Sequence, residues 1–378
     1  MMDDNSLIIN LEDPRLPAEV DSGILMEMLE AYREYIKPEE PIIVVLDEAQ
    51  NVNGWERFAR SLVESKGVKC IITGSSAKLL SQEYATSLTG RHIDVEVFPL
   101  SFMEFLEFRN IKIRTEVDMV NLKFDIINMF NDYMECGGFP EPILSGNMNT
   151  RLELLRNYFN DIIIKDVAKR YRIRNIPQLE QIAKELLSNI SETVSLRKIS
   201  RHYNIGLGTV ERFFRYLTES YLFIPINRFS FSTGAQNTAL RKVYCIDTGI
   251  YRANWFRFSN QTGKLMENIV AIELLRRIGY RQNSGIYYWK DYEQHEVDFV
   301  VRIDGKIEEL IQVTYSSSFQ EIKKREVDNI IRACYNLKCN NLTVVTWNYE
   351  DTRMFQQDTI NFVPLWRFLL EHTAITGT

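Results

Sequence analysis

The stretch that most constrains this chain is "IIVVLDEAQN", residues 42–51. Four consecutive β-formers run into Leu46 with no polar interruption, which reads as a strand buried on both faces of a parallel sheet. Two carboxylates, Asp47 and Glu48, follow at the strand's end. In open parallel sheets, ligands gather at the carboxyl ends of the strands. A nucleotide triphosphatase presents a magnesium-holding Asp and a water-activating Glu in this way. The pair equally suits the start of a following helix, where negative charge is favoured near the N-terminus.

The surrounding pattern supports a sheet. "LIINL" reads as a strand, "ILMEMLEAYREYI" as a helix, "WERFARSLVES" as a second helix and "VKCIITG" as another buried strand. Apolar strands alternating with helices predict a parallel sheet covered on both faces. "FPLSFMEFLEF" predicts a short helix after Pro99, with Ser101 as cap and Glu104 three residues on. From about 125 to 225 the periodicity is helical, interrupted by the rigid turn of "YMECGGFPEPIL". From 240 onward the order is helix, three strands, helix, strand. The predicted domains are 1–130, 131–230 and 231–378.

The strand "CIITGSS" ends in Thr73, Ser75 and Ser76, polar side chains placed to sense a γ-phosphate. Arg91, in "TGRHIDVEVFPLSF", is suited to stabilising phosphate charge or, equally, to a surface ion pair. Together "INLEDPRL", "IIVVLDEAQNVNGWERFARSL", "CIITGSSAKLLS", "LTGRHIDVEVFPLSFMEFL" and "YMECGGFPEPIL" resemble the prokaryotic, especially archaeal, AAA-type ATPase family with a C-terminal domain of unknown function. The resemblance covers nearly the whole chain, with the motifs in family order. It implies ATP and Mg²⁺ as cofactors, Asp47 as the residue holding Mg²⁺ through water, Glu48 as the hydrolytic Glu, and Ser75 or Ser76 as sensor. Arg91 would contact phosphate or act as a finger. In that family a GxxxxGK[ST] loop precedes the strand that "LIINLEDPRL" resembles. Gly263-Lys264 and Gly305-Lys306 lack the preceding Gly and the following Ser or Thr. The expectation is that the P-loop segment is missing at the N-terminus and that this polypeptide alone is weak or inactive toward ATP.

Residues 179–226 have the rhythm of a winged helix. "SLRKISRHY", capped by Ser195, makes the second helix, "NIGLG" the turn, and "TVERFFRYLTES" the recognition helix. "YLFIPINRFSF" is expected to supply the wing strands. Between 165 and 228 there are twelve Lys and Arg against six Asp and Glu, a local +6 in a chain of formal charge −6. Arg197, Lys198, Arg201, Thr209, Arg212 and Arg215 are the candidate nucleic-acid contacts, with "KRYRIR" adding charge. A winged helix also serves as a protein-interaction or lid module, so candidate partners are DNA and a protein.

The order of elements after 240 is similar to that of the restriction-endonuclease-like fold. Such nucleases place a Glu on the first helix, an Asp on the second strand and E-x-K on the third, so that carboxylates hold Mg²⁺ and Lys helps activate water. Glu267 and Asp298 match the first two, but Gln312 and Thr314 stand where Glu and Lys are expected. An amide is a weaker Mg²⁺ ligand, and Thr carries no charge. Glu293, Glu296, Glu308 and Glu309 lie nearby with no spacing that demands a role. An inactive nuclease-like binding or docking domain is therefore expected rather than a nuclease.

No apolar run approaches the ~18 residues of a membrane helix. Five scattered cysteines without C-x-x-C spacing read as reduced thiols of a cytoplasmic protein, and none of the four histidines is placed for a metal site. The fold class expected is α/β: a truncated P-loop-NTPase-like parallel sheet, a helical winged-helix middle and a C-terminal α/β endonuclease-like domain. The function expected is that of an AAA-type, nucleotide-dependent switch with DNA- or protein-binding modules. The alternatives are a non-enzymatic DNA-binding or interaction protein and, further off, a metal-dependent nuclease. The sequence names no target and no oligomeric state.

Overall fold

The computed structural model describes residues 5–17, 19–75, 92–255, 261–279, 281–355 and 357–371. They fall into two compact units, 1–95 and 96–378.

The first unit holds β1 (Ser6–Asn10), α1 (Ser22–Tyr35), β2 (Ile42–Asp47), α2 (Trp55–Glu64) and β3 (Val68–Ile72). The strands pair in parallel in the order β1-β2-β3, with β2 central. Asp21 starts α1 by accepting hydrogen bonds from Gly23 N (2.9 Å) and Ile24 N (3.1 Å). In α2 the buried Trp55, Phe58, Ala59 and Leu62 recur at helical spacing and pack on Ile42, Val44 and Leu46 of β2.

Among the described residues α1 and α2 share one face of this sheet, while Ile8 and Ile71 on the other are 51% and 52% exposed.

The second unit opens with helices α3 (Phe102–Phe108), α4 (Glu116–Asn121), α5 (Lys123–Cys136), α6 (Pro140–Leu144), α7 (Met148–Asp161) and α8 (Ile176–Ser188). The expected box closes α3: Ser101 N donates to Glu104 Oε2 (2.7 Å) and Glu104 N to Ser101 Oγ (3.2 Å). Then come β4 (Glu192–Val194), α9 (Leu196–Tyr203), α10 (Leu207–Glu219), β5 (Phe223–Ile226), α11 (Thr233–Thr238) and β6 (Arg241–Cys245). Ser195 caps α9, and Asn204 ends it in the left-handed region at φ 52°.

Of the wing strands expected from "YLFIPINRFSF", one forms there. Only β5 is a strand, and its antiparallel partner is β6, which also pairs with β4. Residues after Ile226 leave that ladder: Arg228 bridges Tyr288 of a later strand instead.

The unit closes with α12 (Thr248–Asn254), α13 (Thr262–Ile278), β7 (Gly285–Lys290), β8 (Glu296–Ile303), β9 (Lys306–Val313), α14 (Lys324–Leu337), β10 (Leu342–Thr346), β11 (Asp351–Phe355), β12 (Asp358–Pro364) and α15 (Leu365–Leu370). Its sheet runs β11-β12-β10-β9-β8-β7. The β7-β8-β9 pairs are antiparallel, and β10 lies parallel to both β9 and β12. One apolar core extends from Phe102 of α3 through Phe213 and Leu217 of α10 to Leu370 of α15.

The "CGGFP" turn is locked into this core. Gly137 has φ +71°, and a Cβ on Gly138 would stand 2.3 Å from Leu100 O. The buried Asp247 accepts from Gly138 N (2.6 Å) and Gly249 N (2.8 Å), tying the turn to the start of α12.

Candidate functional site

Three groupings of the expected residues emerge. The first lies at the carboxyl ends of β2 and β3. Thr73 Oγ1 donates to Asp47 Oδ1 at 2.5 Å and accepts from Glu48 N at 3.2 Å. Ser75 Oγ donates to Glu48 Oε2 at 3.2 Å, and Gln50 Nε2 binds the same oxygen. Glu48 adopts φ 57°, ψ 46°, a left-handed conformation uncommon for a non-glycine residue. That kink turns the chain after the strand and leaves Asp47 and Glu48 adjacent, both half-buried. Adjacent strands thus bring Asp47, Glu48, Thr73 and Ser75 together, as parallel pairing of Leu46 with Ile72 requires. The other two expected members, Ser76 and Arg91, lie outside the described residues.

The second grouping is the basic surface of α9 and α10. Arg197, Lys198, Arg201, Arg212 and Arg215 are exposed, whereas Val210, Phe213, Phe214 and Leu217 of α10 face the core. Thr209 is half-buried and accepts from Arg212 Nη2 at 3.4 Å. Arg215 is held by Glu219 at 3.7 Å.

The third grouping was only half visible in the sequence. Glu267 on α13 and Asp298 on β8 meet, as expected, and Gln312 on β9 joins them: its Nε2 donates to Asp298 Oδ2 at 2.6 Å. Thr314 stands apart, its N–H bound to Val345 O at 2.9 Å. Lys242 of β6, which no motif singled out, occupies the centre. Its Nζ lies 2.9 Å from Glu267 Oε1, 2.7 Å from Glu296 Oε1 and 3.0 Å from Asp298 Oδ1, and its side chain is 3% exposed. Burial acts to strip the proton from Lys242. The charges of Asp298, Glu267 and Glu296 overrule it and hold the pKa well above the ordinary lysine value. Burial, then the Asp298 charge, pushes Glu267 up to about 8. Glu296 is also penalised by burial, yet Lys242 and Lys290 keep it below the usual range. The only signal for Lys242 in the sequence is a cation inside the otherwise apolar run "KVYC".

A histidine also joins an acidic group, contrary to expectation: His295 lies with Asp291 and Glu293, close enough together to share an ion. Arg332 already spans them, at 3.2 Å from Asp291 and 2.6 Å from Glu293.

Residues 2–106 match the model of an AAA domain. Residues 127–261 and 262–368 match two domains of unknown function, DUF8612 and DUF4143. Over 380 residues the chain is 33% identical to an uncharacterized protein of Methanocaldococcus jannaschii, MJ1544, covering 98% of this chain and 83% of that one. The chain belongs to an AAA-type ATPase-like family with C-terminal domains of unknown function. An uncharacterized protein of Haemophilus influenzae is 26% identical over 356 residues, covering 93% of this chain and 83% of the relative. Among solved structures, a Thermococcus gammatolerans assembly of McrB AAA+ hexamers with bound McrC aligns with 48% of this chain and 46% of that one. The alignment has 11% identity and a TM-score of 0.20, too loose to bear on fold or function. For this AAA-type protein, the family likeness speaks for nucleotide and Mg²⁺ binding in general, and the carboxylate–hydroxyl set at β2 and β3 has the hard oxygen donors such an ion prefers. No helix among the described residues is long and apolar enough to cross a membrane.

Proposed function

We propose that this AAA-type protein is a nucleotide-dependent switch whose C-terminal segments bind DNA or a protein partner. The observation that carries the reading is the bonding of Asp47 to Thr73 and of Glu48 to Ser75 across the ends of two adjacent parallel strands. Bound ATP with Mg²⁺ would supply a phosphoanhydride and a cation to polarise it. Asp47 would hold that ion through water, oriented by the Thr73 hydroxyl. Glu48, kept in place by Gln50 and Ser75, would orient and deprotonate a water. Thr73 and Ser75, with Ser76, would report on the outer phosphate, and Arg91 would stabilise its charge. Thr73 binds the Asp47 carboxylate and the Glu48 backbone, and Ser75 binds the Glu48 carboxylate, so both acidic side chains are tied to the segment after β3.

Two features support the binding half. The order α8-β4-α9-α10-β5-α11-β6, with its small sheet ordered β4-β6-β5, supports a winged-helix reading in which α10 would be the recognition helix. Arg197, Lys198, Arg201, Arg212 and Arg215 are exposed on its second and third helices, with Thr209 among them. The order α13-β7-β8-β9-α14-β10 supports a restriction-endonuclease-like fold whose residues serve docking rather than cleavage. The proposal keeps three segments, 1–130, 131–230 and 231–378.

The test is a titration of the full chain with a fluorescent ATP analogue in Mg²⁺, beside Asp47→Ala and Glu48→Gln. The expected result is weak but saturable binding with little turnover, lowered at least tenfold further in Asp47→Ala and left unchanged in Glu48→Gln. Equal affinity in all three would refute the nucleotide half. The second reading, a non-enzymatic DNA-binding or interaction protein, is favoured by the exposed arginines alone and would then remain.

A further inference from the structure

We propose that the ammonium of Lys242 occupies, permanently and from within the chain, the cation position of a carboxylate cluster made by Glu267, Glu296 and Asp298. The corollary is that removing that ammonium opens a site for a divalent metal ion.

The donor count fits closely. A lysine ammonium has three N–H donors and no acceptor. Nζ of Lys242 has three carboxylate oxygens within 3.0 Å, one from each acid. Two of these, Glu267 Oε1 and Asp298 Oδ1, accept its hydrogen bonds, and Glu296 Oε1 completes the set as an ion pair. The acids hold further partners: Asp298 Oδ2 accepts from Gln312 Nε2 (2.6 Å) and Val313 N (3.0 Å), Glu267 Oε1 from the Tyr244 hydroxyl (2.8 Å), and Glu296 Oε2 pairs with Lys290 (3.1 Å). The acids come from two elements, Glu267 from α13 and Glu296 and Asp298 from the first and third positions of β8, and converge on one point. That is the geometry of an ion site, in which oxygens lie roughly 2.0–2.6 Å from the ion. Oxygens already 2.7–3.0 Å from a common centre need only a small inward movement to reach it.

A lysine in this position does not act as a general base or as a helper of an attacking water. Its pairing with three acids keeps it charged, and its side chain is 3% exposed. Gln312, on the strand that faces Asp298, adds an amide where a fourth carboxylate would strengthen metal binding. Two ammonium groups, Lys242 and Lys290, already face the three acids without a metal. The inference stands apart from the nucleotide reading: loss of ATP binding would leave it untouched.

The test uses the full chain and Mn²⁺ as probe, with free Mn²⁺ read by electron paramagnetic resonance. Each background is compared with its Asp298→Asn counterpart, so that Mn²⁺ bound elsewhere cancels. Wild type and Asp298→Asn should take up equal amounts. Lys242→Ala should take up one Mn²⁺ per chain more than Lys242→Ala/Asp298→Asn, and Mn²⁺ should raise its melting temperature but not that of wild type. If Lys242→Ala does not fold alone, refolding with Mn²⁺ should restore soluble protein. The proposal is overturned by an Asp298-dependent Mn²⁺ in wild type, by a folded Lys242→Ala that gains none, or by a Lys242→Ala that Mn²⁺ does not rescue.

Discussion

Lys242 Nζ stands 3.0 Å from Asp298 Oδ1, joining β6 to β8 across 56 positions of sequence in a buried setting. Breaking one side of such a pair leaves an uncompensated buried charge, which costs about 3–5 kcal/mol. Lys242→Met and Asp298→Asn should each destabilise the second unit by that order. The double variant should lose less than the sum, and a double-mutant cycle in urea measures the difference. Strict additivity would mean that the two groups do not interact in solution.

Gly138 tests the turn of "CGGFP". A Cβ there meets Leu100 O at 2.3 Å, and Leu100 N also donates to Gly138 O at 2.8 Å, so the obstructing atom is backbone fixed on both sides. Gly138→Ala should cost about 1–3 kcal/mol, in the range of overpacking. Gly146, with nothing near its Cβ position, is the control: Gly146→Ala should change the urea midpoint little.

Asp247 makes stability depend on pH. Burial pushes its carboxyl up to about 6, against the N–H donors of Gly138, Ile250 and Gly249, which favour the charged form. The folded state therefore holds the proton more tightly than the unfolded state, whose Asp titrates near 3.8. The contribution is fully present below pH 3.8 and is lost as pH rises through 6, by up to about 3 kcal/mol. The stability of wild type minus that of Asp247→Asn should fall across this window and level off above pH 7. A flat difference would contradict the shift.

For DNA, the arginines give a salt prediction. If Arg201, Arg212 and Arg215 neutralise phosphates, affinity for a short duplex falls linearly in log–log form with salt. Each Arg→Ala change should lower that slope by about one. Fluorescence anisotropy at 50, 100 and 200 mM KCl (roughly the range over which such losses are large) provides the measurement. Unchanged slopes would assign this surface to a protein partner.

Much of this architecture could be read from local rules. The Ser101–Glu104 box, the Ser195 cap and strands β7 and β8 declare themselves through capping chemistry and apolar runs, each settled within a few residues. Asp47 and Thr73 were findable because parallel neighbours end at one edge of the sheet. Lys242 was not, since its meaning depends on acids 25 and 56 positions away and on burial that no window of sequence reports. The partner of β5 escaped for the same reason: its ladder closes with β6 after an intervening helix, not with the next residues along.

The unbroken core from Phe102 to Leu370 contains apolar side chains of both α10 and the six-stranded sheet. Interiors packed like crystals leave little room for one part to shift alone. The basic helix and the acid cluster are therefore mounted on a single packed body, not on two joined by a linker.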